Sequence, residues 1–534
     1  MREAKHMSKT IHIYPENTTQ GFYYPSNNDE SLKNIAFLFK DQSDVVFDGE
    51  NAEYIFHGRI SPIVIDNCKN VTIKNLTIDY ERPFFTQAEI VESSDSRVLL
   101  RIPAEFPYNF GPNGLLFIGE NWESRMDTDT VLIQEYDPAT GAVAYNSPVL
   151  LVNIGETVSA SPSASMPAMQ LHSRPAGDGL VELTGPLRYT PKVGNWWLFS
   201  HENRENSGIF VVDSANVTIE NVHIRHVASM GITAQCTENI TLKNVTTLPA
   251  PGRMLSVNAD STHFINCSGL VKIEDCVFEK MLDDGVNIHG LYTRVESVSG
   301  NTVTLHYMHC QHRRADIYKP GDKLLVSRGS TREIKEVITV VCVDNTDPFY
   351  PVLTLASPVQ YAEKGDLVEN RDRMPEVEIR NTRVAHNRPR AFLVSTTRRA
   401  LVEGCYMSNC HYGIHIAGDS TYWYESGGAT DLTIRNNIFE NCCHQAGEWP
   451  LGITPEYQPT QKEPYFHHNI LIEGNEFRTF TDGILTAAGV DGLTVRNNRY
   501  VRTNAYPRRR EVPFYDIHNC NHVYLEDPIM AKEK

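Results

Sequence analysis

The sequence predicts an all-β fold, a right-handed parallel β-helix with two small β-barrel-like domains inserted into it. Three observations support this prediction. A pattern of short strands repeats along the chain, the repeats return at an interval of 23 residues, and two long stretches interrupt them.

The repeated unit is a short alternating strand, a turn residue and a second short strand. It occurs in NVTIENVHI (216–224) and NITLKNVTT (239–247), and again in ILIEGNEF (470–477) and LTVRNNRY (493–500). Periods of 20 to 50 residues are typical of repeat folds, but the chain lacks a leucine ladder and propeller blades need about 40 residues or more. Short strands with Asn turns fit one coil of a parallel β-helix, because Asn tolerates left-handed turn conformations.

Two stretches, 84–200 and 291–372, lack the period but contain strand-like pieces such as RVLLRI and DKLLVS. We interpret each as a small β domain inserted into a coil, where the two chain ends lie close together and an insertion costs little. The predicted organisation has five segments: N-terminal coils (1–83), an inserted β domain (84–200), coils with acidic motifs (201–290), a second inserted β domain (291–372) and C-terminal coils (373–534).

The composition excludes several classes of protein. The chain has 534 residues, of which 41% are hydrophobic and 22% charged, as in ordinary globular proteins. Its longest apolar runs, such as VITVVCV (337–343), have the length of a strand, so we expect no membrane span. The net charge of −17 repels phosphate backbones and polyuronic acids, so nucleic acid is not an expected partner.

Cofactor and metal signatures are missing from the sequence. The eleven cysteines, an odd number, run from Cys68 to Cys520 without CxxC pairs or zinc-ligand spacing. No phosphate-binding loop, Ser-His-Asp order or nucleotide fingerprint is present. We therefore expect most of the cysteines to be buried thiols, and we expect no cofactor and no metal.

Three aspartates are spaced by one coil. Asp260 lies in SVNADSTHF (256–264), and Asp283 follows it by 23 residues in LDDGVNIHG (282–290), with Asp284 next to it. This spacing places the three carboxylates on adjacent coils of one face. Alternation along the second strand then places Asn287 and His289 beside them.

Such crowding raises the pKa of at least one carboxyl group. Glycoside hydrolysis uses this effect, because one carboxyl group must stay protonated to donate to the leaving oxygen while another is ionised to activate water. The alternative is structural, since aspartates in β-helix turns also cap backbone amides. The conjunction of both motifs at one-coil spacing favours catalysis.

The acidic motifs resemble those of two carbohydrate-active families. Asn-x-Asp followed by Asp-Asp one coil later is similar to the polygalacturonase family, glycoside hydrolase family 28, but the chain has no separate GHG and no downstream RIK motif. A closer resemblance is to glycoside hydrolase family 110, the bacterial α-1,3-galactosidases. It rests on YNFGPNG (108–114), NADSTHF, LDDGVNIHG and NRPRAFLVST (387–396), which occur in that order.

The resemblance to family 110 implies a β-helix with inserted β-barrel domains and an inverting mechanism. It assigns Asp283 as general acid, with Asp260 and Asp284 on the side of the attacking water. The implied substrate is a neutral terminal α-galactosyl oligosaccharide or glycoconjugate, which suits an acidic protein. The implied activity is removal of terminal α-1,3-linked galactose.

Further residues are predicted to bind the substrate. Two arginines lie two positions apart just after the second insertion, where a guanidinium can bond sugar hydroxyls or hold a carboxylate, although a surface ion pair is an equal alternative. Aromatic side chains in two long turns can stack on a sugar face or pack under their own loops. The predicted binding residues are Asn258, His263, Asn287, His289, Arg388, Arg390, Trp423, Glu425, Glu448 and Trp449.

Two other functions remain open from the sequence. One is a β-helix polysaccharide lyase or pectin hydrolase, and the other is a glycan-binding β-helix without catalysis. A homo-oligomer is possible, because parallel β-helices often pack through their sides. A glycan-degrading role favours a periplasmic or secreted protein, while the missing apolar leader and the free thiols leave the cytoplasm open.

Overall fold

The computed structural model describes residues 9–27, 31–111, 114–125, 131–152, 171–201, 204–456 and 464–531. Residues 112 and 113 of the YNFGPNG stretch lie outside these ranges, as do the ends of the predicted segments 1–83 and 373–534. Within the described ranges the secondary structure is β-strand apart from two short 3-10 helices, Pro15–Asn17 and Cys310–His312. No helix in this part of the chain has the length and apolar character needed to cross a membrane.

Most strands belong to three parallel stacks, which form the three faces of a β-helix, so the predicted fold is confirmed. The first face contains Thr10–Ile13, Ser43–Phe56, Lys69–Tyr80, Ala215–Ile224, Glu238–Lys243, Ser268–Glu274, Glu376–Arg380, Arg399–Glu403, Asp431–Arg435, His467–Glu473, Val490–Arg496 and Asn521–Leu525. The second face continues from Ala215–Ile224 through Thr246–Thr247, Val277–Glu279, Arg383–Ala385, Tyr406–Ser408, Ile438–Glu440, Glu476–Thr479, Arg499–Arg502 and Ile529–Ala531.

The third face carries the acidic motifs. Its parallel strands are Ser31–Lys40, Ser61–Asp66, Ile209–Val212, Ile232–Gln235, Thr262–Ile265, Val286–Leu291, Arg390–Val394, Tyr412–Ile416, Leu451–Ile453, Leu485–Ala488 and Tyr515–His518. Two antiparallel strands extend it, Thr19–Tyr23 beside Ser31–Lys40 and Glu425–Ser426 beside Val286–Leu291.

The β-helix core is built from residues in register. Ile219 lies opposite Ile73 on one side and Leu242 on the other, and the column continues through Ile273 and Ile379. These side chains are fully buried. At the corners, asparagines adopt the left-handed conformation and bond to the asparagine of the next coil, as Asn239 does to Asn216 at 3.1 Å. The repeat therefore encodes both the core column and the turn.

The two stretches without the repeat form separate antiparallel structures. Strands of the first are Phe85–Ser93, Arg97–Arg101, Val131–Asp137, Ala142–Val143, Leu150–Val152, His172–Pro175, Leu180–Thr184 and Trp196–Ser200, joined in one sheet, and Tyr108–Gly111, Gly114–Ile118 and Glu123–Arg125 in another. The second is a closed barrel of Thr293–Ser299, Thr302–His306, Lys323–Ser327, Ile334–Asp344, Val352–Leu355 and Leu367–Asn370. This barrel begins directly after the strand that follows Asp284.

Candidate active site

Two neighbouring coils bring the three aspartates together. The strands that follow Asp260 and Asp284 pair in parallel with Thr262 opposite Val286, so the two aspartates occupy equivalent positions. One oxygen of each of Asp260, Asp283 and Asp284 lies within 4.8 Å of the other two. The side chain of Asp283 is 15% exposed, whereas those of Asp260 and Asp284 are almost fully buried. Asp283 is thus the carboxyl group that faces solvent.

The next coil places Arg390 against Asp284. Nε and Nη2 of Arg390 donate to the two oxygens of Asp284 at 2.8 and 2.7 Å, and the backbone N–H of Arg390 donates to the same carboxylate at 3.1 Å. Both oxygens therefore act as acceptors, as in a bidentate pair of opposite charges. We assign Asp284 the ionised form.

Asp283 lies between two other guanidinium groups. Nη2 of Arg204 donates to Oδ2 of Asp283 at 2.5 Å, and Nη2 of Arg388 lies 3.8 Å from Oδ1. Nε of Arg388 donates to the carbonyl oxygen of Leu282 at 3.1 Å, which fixes it beside the acidic motif. Arg204 was not predicted, because it lies between the first insertion and the next coil, where no motif marks it.

His263 and His289 lie on the buried side of the cluster. Nδ1 of His263 bonds to Oδ2 of Asp260, and the Nε2 atoms of the two histidines lie 2.8 Å apart. Nδ1 of His289 lies 2.5 Å from the carbonyl oxygen of Gly290. These contacts occupy all four ring nitrogens, so this arrangement leaves neither histidine a nitrogen for a sugar hydroxyl.

Glu425 lies next to the histidines. Its Oε1 accepts hydrogen bonds from Asn27 at 3.1 Å and from Asn287 at 3.3 Å, and it lies 3.5 Å from Nε2 of His289. Asn27 also bonds to Nε2 of His312, next to the barrel, at 2.6 Å. Asn27 and His312 were not predicted. The sequence offers no signal for them, since Asn27 lies far along the chain from the acidic motifs and His312 lies in the second insertion, outside the repeat.

The pKa is raised in two of the three carboxyl groups and lowered in the third. Burial raises the pKa of Asp260 to about 7, and the negative charge of Asp283 adds to the rise. Burial also raises the pKa of Asp284 to about 7, while its pair with Arg390 acts in the opposite direction. Burial would raise the pKa of Asp283, but the neighbouring positive charges, that of Arg204 first, outweigh it and hold this pKa below its usual value. The pKa values of Asp260 and Asp284 are thus raised alike, and the two groups are distinguished by the pair between Asp284 and Arg390, which leaves Asp260 as the carboxyl group best placed to hold a proton without substrate.

Both histidines are neutral. Burial lowers the pKa of His263 to about 3, and the charge of Arg204 acts in the same direction. Burial lowers the pKa of His289 to about 4, although the charge of Glu425 opposes this. The buried side of the site thus carries little positive charge of its own.

An aromatic group covers Arg204. The guanidinium lies 5.4 Å from the ring centre of Trp423, and the Trp423 ring lies 4.4 Å from that of His309. The carboxylate of Asp419 accepts backbone N–H groups along this loop, from Thr421, Tyr422, Trp423 and Tyr424. Asp419 therefore fixes the loop that holds Trp423 beside the acidic cluster.

Three predicted residues have other partners. Glu448 lies 3.6 Å from Nε of Arg510, and Nε1 of Trp449 donates to the carbonyl oxygen of Pro513 at 3.1 Å. Asn258 donates to the carbonyl oxygen of Phe84 at 2.9 Å. Within the described ranges none of the three forms a hydrogen bond or ion pair with the aspartates, and Asn258 instead holds the start of the first insertion.

Among the residues that the structure describes, three groups of side chains have donor atoms within 4.8 Å of one another, as a metal site requires: the three aspartates; His263, His289 and Glu425; and His12, His57 and Glu81. In the second group the two Nε2 atoms already bond to each other. In the first, Asp284 is paired with Arg390. The donors of these two groups therefore have protein partners at the atoms named.

Comparison with known proteins identifies relatives. Residues 86–196 match the family described as GLAA-B beta-barrel domain I. The chain is 32% identical over 515 residues to alpha-1,3-galactosidase A of Shewanella woodyi, covering 94% of this chain and 81% of that protein. It is 32% identical over 499 residues to alpha-1,3-galactosidase B of Bacteroides thetaiotaomicron, covering 91% and 78%.

A family 28 exopolygalacturonase of Yersinia enterocolitica is a far weaker match. It is 9% identical with a TM-score of 0.34, over 90% of this chain and 72% of that one, and carries no argument about function. The relatives that match over nearly the whole chain are informative. They show that the chain belongs to the α-1,3-galactosidase family of glycoside hydrolases, family 110.

Proposed function

We propose that the protein is an exo-acting, inverting α-1,3-galactosidase that releases terminal α-1,3-linked galactose from glycans. Membership of the family supports the reaction and the linkage. The observation that carries the proposal is the cluster of Asp260, Asp283 and Asp284, in which carboxyl groups in different environments lie within 4.8 Å of one another. Glycoside hydrolysis needs this combination of a proton donor and an ionised partner.

The geometry suggests how the roles are divided. Asp283 faces solvent, so it is placed to protonate the glycosidic oxygen. Asp284 is held ionised by Arg390, so it can accept a proton from the attacking water. The bond between the anomeric carbon and the glycosidic oxygen breaks as the bond from water to that carbon forms.

Exo action is supported by the buried groups behind the cluster. Glu425, Asn287 and His289 are buried there, so among the described residues this side of the cluster is closed to a continuing sugar chain. Trp423 lies beside the cluster, against the guanidinium of Arg204. A single terminal galactose is the ligand that suits such a closed end.

The stereochemical outcome is the sharpest test. Inverting glycosidases usually separate their two carboxyl groups by about 6.5–9.5 Å, and retaining ones by about 5–5.5 Å. The oxygens here approach more closely than the usual inverting distance, so inversion rests on the family resemblance. Retention is the alternative that the short distance favours.

Proton NMR of Galα1,3Gal during the first minutes of reaction tests the proposal. We expect the wild type to release β-galactose first and Asp283→Asn to release almost none, while Glu448→Gln serves as a control with wild-type release. Initial α-galactose would refute inversion. Equal release by Asp283→Asn would refute the assigned cluster, and binding without release would favour a glycan-binding protein.

A further inference from the structure

Behind the aspartates, three hydrogen bonds follow one another and end on the backbone. Oδ2 of Asp260 bonds to Nδ1 of His263, Nε2 of His263 bonds to Nε2 of His289, and Nδ1 of His289 bonds to the carbonyl oxygen of Gly290. The side chains of the three residues are at most 3% exposed, so water does not compete for these bonds.

The number of protons in this series of hydrogen bonds follows from the carbonyl oxygen of Gly290, on which the series ends. A carbonyl oxygen only accepts, so Nδ1 of His289 must carry a hydrogen. Three hydrogen bonds need three hydrogens, whereas an ionised Asp260 and two neutral histidines supply only two. The three side chains together must therefore hold one further proton, and they are then uncharged as a group, whichever of them carries that proton.

We propose that Asp260, His263 and His289 form a proton store, which supplies the proton that leaves with the glycosidic oxygen. This inference rests on the proposed function. During cleavage, the store passes its proton to Asp283, Asp283 passes a proton to the glycosidic oxygen, and Asp284 takes one from water. Transfer of that proton from Asp284 back to Asp260 restores the store, so the cycle balances.

The charged groups around these three side chains favour Asp260 as the position of the stored proton. Arg204 and Arg390 disfavour a positive histidine, as does burial, and they outweigh the opposite effect of Asp283 on His263. Glu425 favours a charged His289, but its oxygen lies 3.5 Å from Nε2, longer than a normal hydrogen bond. His312 and Asn27, which pack on the same side, are uncharged. Under this proposal Asp260 is neutral in the resting enzyme, and the base role that the family resemblance shares between Asp260 and Asp284 falls to Asp284.

Nitrogen NMR of the full chain labelled with ¹⁵N-histidine tests the store without any activity assay. His263→Gln and His289→Gln assign the two rings. We expect His289 to carry its hydrogen on Nδ1 and His263 to carry one on Nε2 at neutral pH. A neutral His263 with a bare Nε2 would overturn the proposal, and so would ring signals that change after treatment with EDTA, because a bound metal would then replace the proton.

The dependence of kcat/KM on pH tests the function of the store. His289→Leu removes the acceptor for Nε2 of His263, which lowers the proton affinity of the store. We therefore expect the alkaline limb of the kcat/KM profile to move to lower pH by about one unit. His289→Gln keeps an oxygen acceptor and should restore the limb. His467→Gln, a buried histidine bonded to the backbone of Ala429, is the matched control.

The two tests separate the possible failures. An equal shift in His289→Leu and His289→Gln, or no shift in either, would overturn the store. If the wild type does not cleave α-1,3-galactosides, the proposed function fails, and the NMR result still decides the proton count.

Discussion

Asp260→Asn is expected to stabilise the protein, and increasingly so as the pH rises. The new amide can donate to Nδ1 of His263 and accept the backbone N–H of Asp284, the two bonds that Asp260 makes now. It therefore imitates protonated Asp260 without being able to ionise. The substitution removes the cost of a buried charge while the contacts stay.

The size of the effect follows from the pKa of Asp260, which rises from 3.8 to about 7 on folding. A carboxyl group with a raised pKa contributes stability below its unfolded pKa, and this contribution is lost as the pH rises to the folded pKa. Each pH unit in this window is worth about 1.36 kcal/mol. From pH 5 to pH 8 the stability gained by Asp260→Asn should therefore grow by about 3 kcal/mol, nearly all of it below pH 7.

Urea unfolding of both proteins at pH 5, 6, 7 and 8 measures this difference. Asp95→Asn, at an exposed turn, is the control for loss of a surface carboxyl group. A constant difference for Asp260→Asn would refute the raised pKa, and a growing loss of stability would show that Asp260 is ionised and favourably paired. The variant should also lose at least about 100-fold in kcat.

Three further substitutions test other parts of the structure. Arg390→Lys keeps the charge but loses the paired hydrogen bonds to Asp284, so kcat/KM should fall about 100-fold, and more than in Arg388→Lys; equal losses would contradict the assigned pairing. Trp423→Ala should raise KM about tenfold with a smaller change in kcat, and an unchanged KM would remove Trp423 from the binding site. Asn475→Ala leaves buried partners unpaired and should cost about 2–3 kcal/mol in urea unfolding; a cost below about 0.5 kcal/mol would mean that the interior Asn ladder adds little.

The β-helix could be predicted because its information is local and repeated. Each coil carries its own turn asparagine and its own inward aliphatic residues, as at Asn239 and Leu242, and both recur one coil later or earlier. Pairings inside the insertions are different. Arg97–Arg101 pairs with Leu180–Thr184 across a long separation, and no local pattern marks such a contact.

The residues of the site also differ in whether they lie in the repeat or outside it. Asp260, Asp283 and Asp284 were found because their spacing equals the period of the coil. Arg204 and Asn27 were not, because they come from segments outside the repeat and meet the cluster only through the fold. His263 and His289 were predicted to bind sugar, since the sequence shows which residues share a face but not that each ring nitrogen already has a partner.

The stacking of coils also gives the two equivalent aspartates different neighbours. Asp260, Asp284 and Arg390 occupy one position in three successive coils, and the coil before Asp260 has the buried Met230 at that position. A carboxylate between Arg390 and Asp260 can pair with the arginine, so Asp284 stays ionised. Asp260 instead has the apolar Met230 on its other side, and burial together with the negative charge of Asp283 raises its pKa. Position in the column therefore sets Asp260 apart as the group that keeps a proton, and Arg390 is the residue whose replacement should make the two aspartates alike.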